Sequence, residues 1–270
     1  MADVRIAHFS DIHVAIAPNR STINLNRAFS WGNWVLRRRK RHSLDRLDRA
    51  LQAVLEAKPD CVVCTGDLSH IGQPHELAAA SDKLDILTHH QIPILLTGGN
   101  HDHYNRAASQ EIARLQEKHG VGLEVDSDGI CRVNGLTILM IHQGIYNPFY
   151  MARGKLRTAS LDSVQRRMQS GEVSNIHLAA GHFPVYNEQG RPISIRKRLG
   201  GDVQLMQFLT DLKIPAYLCG HVHKPFSIPL ANGCVQYCAG SITHAGVLRM
   251  LHYQDGQLME AAIIDIDSNK

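Results

Sequence analysis

The chain has 270 residues, 44% of them apolar, and carries a formal charge of +4 with its histidines neutral. That apolar fraction can fill a substantial core. No stretch approaches the ~18–20 uninterrupted apolar residues of a membrane-spanning helix, and six cysteines in a chain this long exclude a disulfide-built scaffold. Met1–Ala2–Asp3–Val4–Arg5 lacks the basic-then-apolar pattern of a secretory leader, so a cytoplasmic location is expected. Seventeen histidines are the compositional outlier.

In chain order, Val4–Phe9 alternates like a strand and ends at Ser10–Asp11–Ile12–His13. On an extended chain Asp-x-His puts both side chains on one face, where each can reach the same ion. His8, three residues before Asp11, falls on the other face and suits a core histidine. Residues 18–42 interrupt the pattern. Trp31 and Trp34 lie off the apolar face of a helix-like stretch, and Arg37–His42 follows as a basic run. This aromatic-basic insertion reads either as a surface helix with a solvated charged end or as an interfacial segment. Residues 24–42 are thus a candidate for peripheral contact with an anionic membrane face.

Ser43 then caps a helix with apolar residues from Leu44 to Leu55 at 3–4 spacing, stopped by Pro59. The strand Asp60–Thr65 ends in Gly66–Asp67. Its Cys61 and Cys64 have CxxC spacing, but their odd separation on a strand points them to opposite faces, against a zinc or redox pair. A helix over about 75–90 leads to the strand Ile92–Leu96, and that strand to Gly98–Gly99–Asn100–His101–Asp102. The βαβαβ rhythm, with polar residues at successive strand ends, places a crevice at the edge of an α/β sheet.

A helix is expected over 105–119, short strands over 122–144 with His142 ending the most apolar of them, and a helix near 160–168. The strand Ile176–Ala180 ends in Gly181–His182. A loop follows with Arg191, Arg196, Lys197 and Arg198, long enough to form a rim. A helix over 202–212 and the strand Ala216–Cys219 lead to Gly220–His221–Val222–His223. The remainder reads as antiparallel strands with turns at Asn232–Gly233 and Asp255–Gly256. No linker or repeat interrupts the chain, so one domain over 1–270 is expected.

Five strand ends therefore carry one signature: Asp11-x-His13, Gly66–Asp67, Gly99–Asn100–His101–Asp102, Gly181–His182 and Gly220–His221-x-His223. Each is weak alone; in this order, each at the end of an apolar strand, they are specific. With this set the chain resembles the calcineurin-like metallophosphoesterases, in their phosphodiesterase-like branch. The resemblance implies an α/β fold, a four-layer α/β/β/α sandwich with a binuclear metal centre at the strand C-terminal edges. Carried over position by position, Asp11, His13, Asp67 and His223 would hold one ion, and Asp67, Asn100, His182 and His221 the second. His101 would meet the scissile phosphate as general acid, and Asp102 would orient it through a hydrogen bond.

Carboxylate, amide and imidazole ligands without thiolate suit Mn, Fe, Zn or Co. Two ions about 3.5–4 Å apart can clamp phosphate oxygens and activate a water. The expected activity is hydrolysis of a phosphodiester or pyrophosphate bond in a small anionic substrate, either a cyclic-nucleotide-like diester or a nucleotide-linked lipid. Lipid-A-pathway relatives often have arginine where this chain has His101, which counts against the nearest version of the lipid reading. DNA nucleases of the superfamily carry an added capping domain for which no residues remain, so nucleic acid is not expected. The alternative from another class is a non-catalytic protein-binding scaffold, and no ligand is missing here to favour it.

Overall fold

Parallel crossovers build the first sheet, because each apolar strand is followed by an amphipathic helix that must return across one face. The computed structural model describes residues 3–17, 32, 42–104, 108–147 and 151–268. Apart from Gly32 and His42, the aromatic-basic insertion lies outside the described residues. Strand β1 (Asp3–Phe9), helix α1 (Leu44–Ala57), strand β2 (Cys61–Cys64), helix α2 (Pro74–His89) and strand β3 (Ile94–Leu96) follow one another, with β1, β2 and β3 in parallel register. Lys58 ends α1 in the left-handed conformation just before Pro59.

Helix α3 (Ala108–His119) leads to the second sheet, where β4 (Ile130–Val133) and β5 (Leu136–Met140) form a hairpin. The short β6 (Gly154–Lys155) and helix α4 (Thr158–Gln169) precede β7 (Leu178–Ala180). Then come β8 (Leu199–Gly200), paired with β6, helix α5 (Asp202–Asp211), β9 (Ala216–Cys219), β10 (Phe226–Pro229) and β11 (Val235–Cys238). The second sheet runs β10-β11-β9-β7-β5-β4, with β5, β7, β9 and β11 parallel to their neighbours in that core.

After helix α6 (Ile242–Ala245), β12 (Val247–Gln254) crosses back to pair antiparallel with β1, and β13 (Gln257–Asp265) forms the outer edge. The first sheet is therefore β13-β12-β1-β2-β3. Both turns read from the sequence place Asn232–Gly233 and Asp255–Gly256 at positive φ; the second is a two-residue hairpin turn between Gln254 and Gln257, and the first lies in a 3-10 turn over Ala231–Gly233.

Three apolar layers show how the sheets stack. Leu47, Leu51, Leu84 and Leu87 of α1 and α2 pack on Ala7, Phe9, Val62 and Ile94. Ile6, Val63, Leu95, Ile138, Leu178 and Leu218 meet between the two sheets. Val164, Leu205 and Leu209 of α4 and α5 cover the outer face of the second sheet. Helix, sheet, sheet and helix layers are the expected sandwich. Period-2 alternation sorts the strand residues: Cys61 lies in the inter-sheet layer and Cys64 in the helix-facing one, and both are free thiols.

The strand ends of the second sheet are braced by a buried tyrosine. Tyr217 donates its hydroxyl hydrogen to the Phe183 carbonyl at 2.7 Å and accepts from Gln143 at 3.0 Å. Gln143 in turn accepts the Phe183 amide at 2.8 Å. The segment beginning at His182 is thus fixed from both neighbouring strands. Among the described residues, no helix is long and apolar enough to cross a membrane.

Candidate metal centre

The loops after β1 and β2 run side by side past the sheet edge, which is how their side chains come to converge. Asp11 N–H donates to Gly66 O, His13 N–H to Asp67 O, and Val14 N–H to Leu68 O, each at 2.9 Å. Asp11, His13, Asp67, His221 and His223 all have positive φ, between 52° and 72°. Non-glycine residues rarely accept that conformation, and such strain concentrates where side chains are held for a task. Two glycines make the close approach possible. A Cβ on Gly99 would fall on the Asp67 carboxylate, and one on Gly220 would fall on Ser10 Oγ and Asp11 Oδ2. Gly99→Ala should therefore displace Asp67 and deplete bound metal, read by elemental analysis, while circular dichroism shows the fold retained.

The structure brings all the residues expected to bind metal into one largely buried cluster. Asp11, His13, Asp67 and His223 place donor atoms within 4.8 Å of one another, and Asp67, His182 and His221 do the same. Such spacing is close to what a single ion with bonds of about 2.0–2.3 Å commands. His13 Nε2 and His223 Nε2 face each other at 2.9 Å, and Asp11 Oδ1 stands 3.2 Å from His223 Nε2 and 3.6 Å from His13 Nε2. His182 Nε2 lies 3.4 Å from Asp67 Oδ2 and 3.3 Å from Asn100 Oδ1, which adds the amide to the second group. Asp67 belongs to both groups. Asp11 Oδ1 and Asp67 Oδ2 are buried without a hydrogen-bond donor, a costly state for carboxylate oxygens unless a cation supplies what water did. The donor set fits a divalent transition metal.

Three of the imidazoles, those of His182, His221 and His101, are tied through one ring nitrogen to a backbone carbonyl, which fixes tautomer and direction. His182 Nδ1 donates to Thr65 O at 2.7 Å, and His221 Nε2 donates to Lys197 O at 2.7 Å. The basic loop read as a rim thus orients a ligand through its backbone. His101 Nδ1 donates to His70 O at 2.6 Å, and its amide donates to Asp67 Oδ1 at 2.8 Å.

This corrects the expected hydrogen bond from Asp102 to His101. The Asp102 carboxylate accepts from the Gly99, Leu68 and Ser69 amides and from Ser69 Oγ, at 2.8–3.2 Å. Four donors saturate it, so it pins the Gly98–Gly99 turn to the loop after β2 rather than touching the imidazole. His70 supplies the orienting carbonyl, and its ring stacks on His101 with centroids 5.4 Å apart.

Electrostatics follow from burial and proximity. Burial opposes ionisation of Asp11, yet His13 and His223 hold its carboxyl well below the usual range. Asp67 is likewise lowered against burial, chiefly by His182 and His101. Burial alone would push His182 down, and the Asp67 and Asp11 carboxylates carry it up to about 9. His221 is pushed down to about 3 by burial and then by His182. Asp102 is raised by burial and then by the Asp67 charge. Two anionic carboxylates among imidazoles are ready for a cation.

Other residues at the site carry no sequence signal of their own. His42 closes the basic run, and its ring lies 5.2 Å from His13 and 5.6 Å from His223, with Nδ1 on Thr243 Oγ1 at 2.8 Å. Thr243 and Ser241 hydroxyls bind the Asp11 carbonyl. Glu76, fully buried, accepts the Ile71, Gln73 and Ile16 amides and so ties together the loops that carry His70 and His13. His8 is a core residue on Thr65, as expected.

Burial pushes Glu76 up to about 7 against those three amides. A carboxyl whose folded pKa is raised binds more protons folded than unfolded, so its effect on stability worsens as pH rises from about 4.5 to 7. Melting temperature should therefore fall more steeply over that window in the wild type than in Glu76→Gln.

The chain matches the family model of the calcineurin-like phosphoesterases over residues 4–225. No curated protein matches it. Among solved structures, a dimetal phosphatase from Danio rerio is similar at 13% identity with a TM-score of 0.63, covering 98% of this chain and 99% of that one. The protein TT1561 of Thermus thermophilus is similar at 10% identity with a TM-score of 0.60, covering 98% and 100%. At such identity these two likenesses speak for the fold, and the match over residues 4–225 speaks for the family. The chain belongs to the calcineurin-like phosphoesterases and is, with them, a metal-dependent phosphoester hydrolase.

Proposed function

We propose that the protein hydrolyses a phosphodiester or pyrophosphate bond at a two-ion centre, with His101 as the proton donor to the leaving group. The observation that carries this is the position of Asp67, one carboxylate common to two donor groups, with the His101 amide on its other oxygen. Asp11, His13, Asp67 and His223 would hold one ion, and Asp67, Asn100, His182 and His221 the other. When bound, the two ions supply Lewis-acid charge for the phosphoryl oxygens and a nucleophile at neutral pH. Mn, Fe, Zn and Co suit the thiolate-free ligands.

The chain's own residues do the rest. His70 O holds the Nδ1 proton of His101, so proton traffic to a leaving alkoxide passes through Nε2. The imidazoles and carboxylates around Asp67 exclude bulk water from the centre. The substrate is a small anionic phosphoester, of the cyclic-nucleotide or the nucleotide-linked lipid type. A screen of metal-reconstituted protein against cyclic nucleotides, dinucleotides and UDP-linked lipids, with phosphomonoesters for comparison, tests the bond type. Preference for a diester or pyrophosphate is expected, and turnover confined to monoesters would overturn it.

A further inference from the structure

Beside the Gly98–Asp102 turn lies a second concavity, of about 560 Å³, lined by none of the residues assigned to metal or proton transfer. Its volume falls in the range of sites for small organic ligands, roughly 300–1,000 Å³. Ile112 from α3, with Leu123 and Val125 from the segment after it, gives apolar wall. His142 and Arg157 give polar wall, which places the otherwise unassigned His142 at the end of β5. His142 Nδ1 pairs with Thr97 Oγ1 at 3.2 Å, leaving Nε2 for a ligand. Burial, and then the Arg157 charge, lowers the His142 pKa, so the ring is neutral near pH 7.

Arg157 is exposed at the rim of the cavity. Arg46, Arg49, Arg114 and Arg167 each pair with a carboxylate, whereas the Arg157 guanidinium makes no ion pair or side-chain hydrogen bond among the described residues. Glu117, Glu124 and Asp126 share the lining without pairing with Arg157, and Asp126 is committed to Arg167. An unpaired guanidinium beside a neutral imidazole, facing an apolar wall, is a recognition pattern for an anionic head on an apolar body.

We propose that this cavity binds a small amphipathic organic anion, its anionic head on Arg157 with His142 alongside, its apolar or aromatic body against Ile112, Leu123 and Val125. The site adjoins the catalytic turn through His103. That ring fills the space which Cβ atoms at Gly98 and Gly144 would need, and its Nδ1 donates to the Gly99 carbonyl at 2.7 Å. A ligand in the cavity therefore touches the strut behind the turn without touching a metal ligand, so the proposal stands apart from the metal reading.

The test is a fluorescence titration of the full chain with 8-anilinonaphthalene-1-sulfonate, an amphipathic anion that brightens in apolar sites, with and without chelator. Saturable one-to-one binding is expected, unchanged by metal removal. Arg157→Ala should weaken it by about tenfold or more, the worth of a charged hydrogen-bonding partner. Ala113→Trp, which fills the cavity from α3, should abolish it, and Arg166→Ala on the exposed face of α4 should leave it unchanged. Melting curves establish that the variants are folded. Absence of saturable binding, or equal affinity across all the variants, would overturn the proposal.

Discussion

Asp67→Ala is expected to remove both ions and, with them, turnover. Asp67 is buried, lies in both donor groups, and has one oxygen on the His101 amide and the other 3.4 Å from His182 and 3.8 Å from His13. Its loss opens both groups at once and also releases the Gly98–Asp102 turn from the loop after β2. Losing an outer-shell partner costs roughly 10–100-fold in metal affinity, and a ligand common to two ions should cost more than that at each. Elemental analysis after dialysis against trace metal reads the result directly. Retention of two ions per chain would refute the shared carboxylate, whatever the activity.

His101→Ala should keep the metal and lose turnover by about 10²–10⁴, the usual worth of a positioned general acid. The loss should depend on the leaving group. A p-nitrophenolate departs without a proton, so an activated ester should be slowed little, while an unactivated alkyl ester should carry the full deficit. Equal slowing of both would assign His101 to binding the phosphoryl group instead. The His70 carbonyl sharpens this expectation: with Nδ1 held at 2.6 Å, the proton transferred is the one on Nε2, and no rotation of the ring is needed.

Much of this was legible in the sequence for a physical reason. Each ligand follows an apolar strand, and in parallel sheets the strand C-terminal ends share one edge, so linear order already encodes convergence. The two helix-and-strand repeats before Gly98 specified the parallel strands β1, β2 and β3 of the first sheet, and glycine next to Asp67, Asn100, His182 and His221 marked where backbones must nearly touch.

What the sequence hid depends on contacts without periodicity. The return of β12 to pair with β1 is a long-range choice that no local pattern specifies. Asp102 beside His101 invited a side-chain pairing, but three backbone amides and a serine hydroxyl competed for the same carboxylate and won. The carbonyl that orients His101 belongs to His70, and any residue type could have provided it, so composition carries no trace of it. His42 looked like the end of a charge run because its approach to His13 arises only in three dimensions. Glu76 looked like an ordinary first-turn acid of a helix, and its buried position is set by the two loops it joins.

A two-ion centre built around Asp67 is read most directly from metal stoichiometry by elemental analysis. Purified chain, stripped and reconstituted with manganese, should bind two ions per chain and cleave bis(p-nitrophenyl) phosphate only in that state. A chain that binds no transition metal and leaves the diester intact would rule that centre out.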